Sequence, residues 1–256
     1  MPFSSQLKYN NRYAAILLLL SSVLLMNCKK ASLQPASASL IIANAISGVT
    51  LLPDLTNGEQ PLFKYSKPIQ YSLIYPQNNY FSAYSGMQRL KLYRQPDTTS
   101  KDKPLFDLAL DLPVGSISTL FLAGTKEAPD TVFSREQLPE FVGNDSLVAL
   151  RFIHLSPGQV PISVNRKGFE NGEIINGLDY KQVSGFRTYP IRFDSKYIFE
   201  FRNAVTGELI CTWDFIGIYE RSRFLNRPFT IVFSGLPGGT GVNANKAFFV
   251  PHTAWI

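Results

Sequence analysis

Residues 73–84 read LIYPQNNYFSAY, and residues 178–189 read LDYKQVSGFRTY. At a constant offset of 105, Leu73, Tyr75, Gln77, Phe81 and Tyr84 match Leu178, Tyr180, Gln182, Phe186 and Tyr189 without a gap. Five identities in twelve positions mark an internal duplication. Working outward, LIIANAIS (40–47) matches LRFIHLSP (150–157), RLKLY (89–93) matches IFEFR (198–202), and LFLAG (120–124) matches IVFSG (231–235). These pairs have offsets of 110, 109 and 111, so the copies differ by short insertions in loops, where exposed backbone tolerates changes of length. Two copies of this size are too long and too few for a solenoid. They read as two sequential domains of one fold, 39–143 and 146–256, with the boundary near Gly143-Asn144-Asp145.

Each copy reads as strands. Val148, Leu150, Phe152 and His154 fall on one face of a strand with Arg151 on the other, and Tyr197, Phe199 and Phe201 alternate with Ile198, Glu200 and Arg202. Leu90 and Leu92 alternate with Arg89, Lys91 and Tyr93 in the same way. A period of two means strands with one buried face. Turn signals at Asn57-Gly58, Pro157-Gly158, Asn171-Gly172, Thr206-Gly207 and Pro237-Gly238 punctuate them. This spacing suits about seven short strands per copy and predicts an all-β protein of two tandem immunoglobulin-like antiparallel β-sandwiches. The segment SREQLPEF (134–141) predicts one helical turn between the domains, broken at Pro139.

The N-terminal segment has a different composition. Residues 1–13 carry Lys8 and Arg12 and no acid, and 14–26 read AAILLLLSSVLLM. A basic start followed by an apolar run of this length predicts a secretory signal peptide over 1–27; a membrane-spanning helix needs about 20 apolar residues. Cys28 follows directly, in the place of the lipid-modified cysteine that it resembles in bacterial lipoproteins, with Leu25 three residues before it. The expectation is a lipid attached at Cys28, a polar tether over 28–38 (CKKASLQPASA), and a location at the cell envelope, on the outer membrane of a Gram-negative bacterium. Which side of that membrane the chain faces stays open. With Lys8 and Arg12 set aside, the formal charge is +4 and no basic run remains beyond Lys29-Lys30, so nucleic acid is not an expected partner. The 45% hydrophobic and 17% charged composition excludes a disordered chain.

Candidates for chemistry are few. With Cys28 lipidated, Cys211 has no disulfide partner, and its alternation with Trp213 and Phe215 makes it a small core residue. His154 aligns with Asn44 of the first copy, so a polar group ending the first inward strand is expected to cap the backbone of a neighbouring loop. His252 is expected at the surface. Ser100-to-Lys103, the Gly238–Gly241 stretch and Asp54-to-Glu59 match parts of catalytic, phosphate-binding and calcium motifs, but lack the spacing those require. Asp107 and Asp214 are read as outward-facing. No catalytic, metal or cofactor residue is assigned. Tyr75, Tyr80, Tyr84, Tyr93, Tyr180 and Tyr189 serve either as sandwich packing or as a binding surface.

LRFIHLSPGQVPISVN (150–165), a Tyr-rich middle and a closing FTIVFSG (229–235) resemble the domain-of-unknown-function 4397 family. The second copy carries the resemblance better; the first leans on LPVGSISTLFLAG (112–124). The resemblance implies exported immunoglobulin-like sandwiches, often in tandem and often on lipoproteins, and implies no catalytic residues. The combined expectation is a lipid-anchored envelope protein of non-enzymatic binding or structural role, with envelope proteins or glycans as partners. A glycan-binding or polymer-handling accessory lipoprotein is the alternative, and an envelope hydrolase ranks third.

Overall fold

The computed structural model describes residues 36–253, apart from 57–65, 75, 98, 100–101, 144–145, 193–195 and 217–223. The first copy forms β1 (Ser37–Asn44), β2 (Leu51–Asp54), β3 (Tyr80–Tyr84), β4 (Gly86–Arg94), β5 (Phe106–Leu112), β6 (Ile117–Gly124) and β7 (Pro129–Arg135). The second forms β8 (Leu147–His154), β9 (Ile162–Arg166), β10 (Ile175–Leu178), β11 (Arg187–Pro190), β12 (Lys196–Asn203), β13 (Leu209–Ile216), β14 (Arg227–Ser234) and β15 (Lys246–Pro251). In the first copy the sheet β3-β1-β6-β7 packs on β2-β4-β5; in the second, β11-β8-β14-β15 packs on β10-β9-β12-β13. The chain is therefore all-β, with two tandem sandwiches of one topology.

The duplication extends to register. β1 pairs with β6 and β8 with β14 in parallel, while the other ladders are antiparallel. Asn44 stands opposite Leu122 as His154 stands opposite Phe233, which reproduces the sequence offsets of 110 and 111. Gly124 and Gly235, matched by the same offset, both take positive φ (81° and 100°) where β6 and β14 end. A β-carbon there would stand 2.2 Å from Ala128 O and 2.4 Å from Ala244 O, so each turn requires glycine.

Each sandwich has its own core. Leu40, Ile42, Leu90, Leu92, Leu120 and Leu122 lie in the first, and Leu150, Phe152, Phe199, Phe201, Ile231 and Phe233 in the second. A third core fills the space between the copies. There Ile41, Ala43, Phe121 and Ala123 of β1 and β6 meet Ile153, Val232, Phe248 and Val250 of β8, β14 and β15. The arrangement is four layers, and its two inner sheets are covered on both faces. Seven consecutive residues of β6, β8 and β14 are buried, where an antiparallel sheet with one wet face would alternate.

Two local expectations change. Ser134 and Arg135, assigned to a helical turn, end β7 and pair with Thr119 and Ser118, and the Glu136 N–H continues the ladder to Ile117 O (2.8 Å). Pairing with β6 gives these backbone groups partners that one isolated turn could not. β1 starts at Ser37, so Ser37 and Ala38, assigned to the tether, pair with Tyr84 and Ala83. The signal segment 1–27, Cys28 and the Asn144-Asp145 boundary lie outside the described residues.

Candidate functional site

Asn44 and His154 end β1 and β8, and both are fully buried. Asn44 Oδ1 accepts from Ile46 N (3.0 Å), and its Nδ2 donates to Val49 O (2.8 Å) and Ile69 O (3.4 Å). His154 Nδ1 accepts from Ser156 N (3.2 Å), which places the ring proton on Nε2, 3.3 Å from Val160 O. An amide and an imidazole thus brace the same turn in the two copies, the role the sequence assigned to His154. Burial pushes the His154 pKa down to about 4, against a smaller opposing effect of the Val160 carbonyl.

His252, expected at the surface, is only 2% exposed. It sits between the copies, with Nε2 2.6 Å from Thr230 Oγ1 and Nδ1 3.3 Å from Thr119 Oγ1 and 3.8 Å from Glu136. Arg151 Nε donates to Thr230 Oγ1 (2.8 Å), while its Nη2 lies 2.8 and 2.7 Å from the two oxygens of Glu136. The guanidinium also lies over the Phe186 ring, 4.7 Å from its centre. Arg151 does point away from its own core, but onto the other sandwich rather than into water. Burial, reinforced by the Arg151 charge, pushes the His252 pKa down to about 3. Tyr80 Oη donates to Pro251 O, and Tyr71 Oη meets Ser234 Oγ (3.4 Å), adding polar links across the same seam.

The remaining candidates are held by the fold. Cys211 packs on the second core beside Trp213, and burial raises its pKa to about 12, which suppresses the thiolate. Asp107 is exposed and paired with Arg89 (2.6 Å), and Asp214 is exposed, both outward as the alternation placed them. Tyr93 and Tyr189 are buried, Tyr80 and Tyr180 pack at the seam, and Tyr84 is 63% exposed. Glu59, Tyr75 and Ser100 lie outside the described residues. No three His, Cys, Asp or Glu side chains are grouped as a metal ion would need among the described residues.

One end of the fold gathers several loops. β1 runs parallel to β6 and β8 to β14, and the two pairs end on the same side, since the residues after β1 and β6 (Ser47–Val49, Gly124–Glu127) line one groove with Leu236 and Asn243 after β14. The loops that follow them, 45–50, 125–128, 155–161 and 235–245, therefore emerge together, and the β12–β13 turn joins them. These loops are braced from below. Ser156 Oγ donates to Gly235 O (2.8 Å), and Asn245 Nδ2 donates to Ser156 Oγ (3.0 Å) and Ser234 O (3.2 Å). Asn203 Oδ1 accepts from Val205 N (2.9 Å) and Thr206 N (3.1 Å), and Arg202 Nη1 donates to Gly207 O (2.7 Å). Val160, Val205, Leu209 and Val242 are exposed on this framework, Val205 by 85%. Two grooves flank the 235–245 loop. One, of about 440 Å³, lies within the second sandwich; the other, of about 300 Å³, lies between Ser47–Val49, Gly124–Glu127 and Leu236. Alternation could not reveal this site, because which loops share an end depends on the parallel β1·β6 and β8·β14 pairings.

Fold and site define a tandem β-sandwich with one braced loop end. No family model matches the chain, and no curated protein matches it. Among solved structures, one described as a "putative adhesin from Bacteroides ovatus" is similar over 86% of this chain and 97% of its own, at 10% identity and a TM-score of 0.23.

Proposed function

We propose that the chain is a lipid-anchored envelope module, built from two sandwiches of the domain-of-unknown-function 4397 type, that binds a partner through its loop end and catalyses no reaction. The observation that carries this reading is directional. The chain enters β1 at Ser37, at the end of the sheets opposite the braced loops. An anchor upstream of Ser37 therefore connects to the sheets, along the chain, at the end away from the loops. The groups with chemical potential support the same reading through the roles they already fill: His154 braces a loop, His252 and Glu136 join the copies, and Cys211 packs a core. The burial of Tyr93 and Tyr189 draws aromatic surface away from the glycan-binding alternative.

Metabolic labelling with a fatty-acid analogue tests the anchor. Wild type takes up label and Cys28→Ser does not; an unlabelled wild type sinks the lipoprotein reading. Assay of the purified protein on ester, peptide and glycoside substrates tests the rest. Turnover that survives repurification and disappears in a variant of a groove residue would show an enzyme.

A further inference from the structure

The end of the first sandwich opposite the loops carries exposed apolar side chains around Ser37, the first residue of β1. Tyr84 stands opposite Ser37 across the β1·β3 ladder, and Ser85 N donates to Ala36 O (2.8 Å). On the β6 side, Gly115 N donates to Ser37 O (2.9 Å), which sets Val114 of the β5–β6 turn beside it. Met87 follows Gly86, whose partner is Leu112 just before that turn. Tyr84, Met87 and Val114 are 63%, 67% and 70% exposed, and they are grouped about one point of the chain rather than scattered singly. The charges beside them are balanced: Arg135 pairs with Asp111 and Arg89 with Asp107, both at 2.6 Å. Phe169, in the turn after β9, is exposed at the same end of the second sandwich.

The length of chain upstream says what this end meets. Residues 28–36 are all that separate Cys28 from β1, a reach of at most about 30 Å. The loop end lies farther along by the eight residues of β1, about 25 Å. For a chain lipidated at Cys28, contact between lipid and the Ser37 end is intramolecular. The effective concentration is then high, and little translational freedom is left to lose. A patch too small to hold a soluble protein on a bilayer suffices under those conditions.

Resting on the lipid-anchored reading, we propose that the Ser37 end of the first sandwich lies on the phospholipid surface, with Tyr84, Met87 and Val114 entering the headgroup boundary. Met87 and Val114 supply apolar contact, and Tyr84 sets its ring in the boundary with the hydroxyl toward water. The contact turns attachment at one point into a fixed orientation, with the braced loops directed away from the lipid.

The test uses the full-length lipidated protein in phospholipid vesicles. A thiol-reactive bimane is placed at Val114→Cys or, in a separate variant, at Val205→Cys of the loop end, and its quenching by brominated phospholipid is read. Burial holds the Cys211 thiol protonated, which keeps the probe off it. Quenching several-fold stronger at position 114 than at 205 is expected, falling to the level at 205 when Tyr84→Asp and Met87→Asp are added. Where that variant melts early, Met87→Asp alone replaces it. Equal quenching at the two positions, or none at 114, overturns the lipid-facing end, while fatty-acid labelling reports the anchor independently. A chain that takes up no fatty acid but binds the vesicles with the same quenching keeps the face and loses the anchor; one that does neither loses both. Slowed exchange at the amides of Tyr84 and Val114 that grows with protein concentration in detergent, without quenching in vesicles, assigns this end to a second copy and overturns the lipid contact.

Discussion

At position 154 an imidazole, and at position 44 an amide, close the turn that follows the first strand of each copy. The two solutions differ in one physical respect, because only the imidazole titrates. His154 and His252 are held neutral by burial, with pKa values near 4 and 3 against 6.5 for an unperturbed ring. As the pH falls below about 6.5, the unfolded chain takes up protons at both rings before the folded protein does, so stability present above that pH is lost toward pH 4. His154→Asn installs the first copy's solution in the second. It is expected to keep the turn and to reduce the slope of stability against pH by about 1.4 kcal/mol per unit between 6 and 4. Denaturant melts at stepped pH measure this; an unchanged slope would show that His154 is not buried as a neutral ring. The Arg151–Glu136 pair makes the complementary case. Arg151→Met leaves a buried carboxylate without its cation and is expected to cost about 3–5 kcal/mol, whereas Arg151→Met with Glu136→Leu recovers most of that loss. A double variant no more stable than the single one contradicts the pairing.

At the scale of the strand, the match of Tyr84 with Tyr189 conceals a slip. Tyr84 stands opposite Ser37, whereas Tyr189 stands opposite Val148, the counterpart of Ala38. One residue of slip turns a side chain to the other face, so Tyr189 enters the core and Tyr84 enters solvent. Tyr189→Ala is therefore expected to cost about 3 kcal/mol or more, and Tyr84→Ala to stay within about 0.5 kcal/mol of wild type. Equal effects in thermal melts would refute the register. The same contrast shows what the sequence reveals. Alternation in 147–155 and 197–203 identifies strands and their inward faces, since a period of two is local. It does not say what lies against the outward face. Ile41, Phe121, Ile153 and Val232 are outward by phase and buried by the other sandwich. The unbroken apolar runs LFLAG and IVFSG carried that signal, because a strand with a wet face would have interrupted them with polar residues. His252 is buried rather than at the surface for the same reason: its cover comes from Thr119 and Glu136, far away in sequence.

Across the whole molecule, the third core decides whether the two sandwiches behave as one body. Each fully buried large aliphatic or aromatic side chain contributes about 1.5–3 kcal/mol, and Ile41, Phe121, Ile153, Leu155, Val232, Phe248 and Val250 lie there together. Their gross contribution, on the order of 10–20 kcal/mol, matches or exceeds the roughly 5–15 kcal/mol by which a domain is stable at all. Neither sandwich should therefore part from the other before it unfolds. Trp213 packs against the second core, so in a Trp255→Phe background, position 255 lying outside the described residues, tryptophan fluorescence follows that half while calorimetry follows both. In the wild type the two signals are expected to coincide in a single transition. Ala123→Asp places a charge in the seam on the first-copy side, without touching either sandwich's own core. Separation lets water reach that carboxylate, so this variant is expected to melt in two steps, with tryptophan fluorescence following one of them. Its exposed inner faces also favour association between molecules, visible as a concentration-dependent sedimentation rate. Two separate transitions already in the wild type would show that the seam does not couple the copies, and the braced end would then be two independent sets of loops rather than one surface.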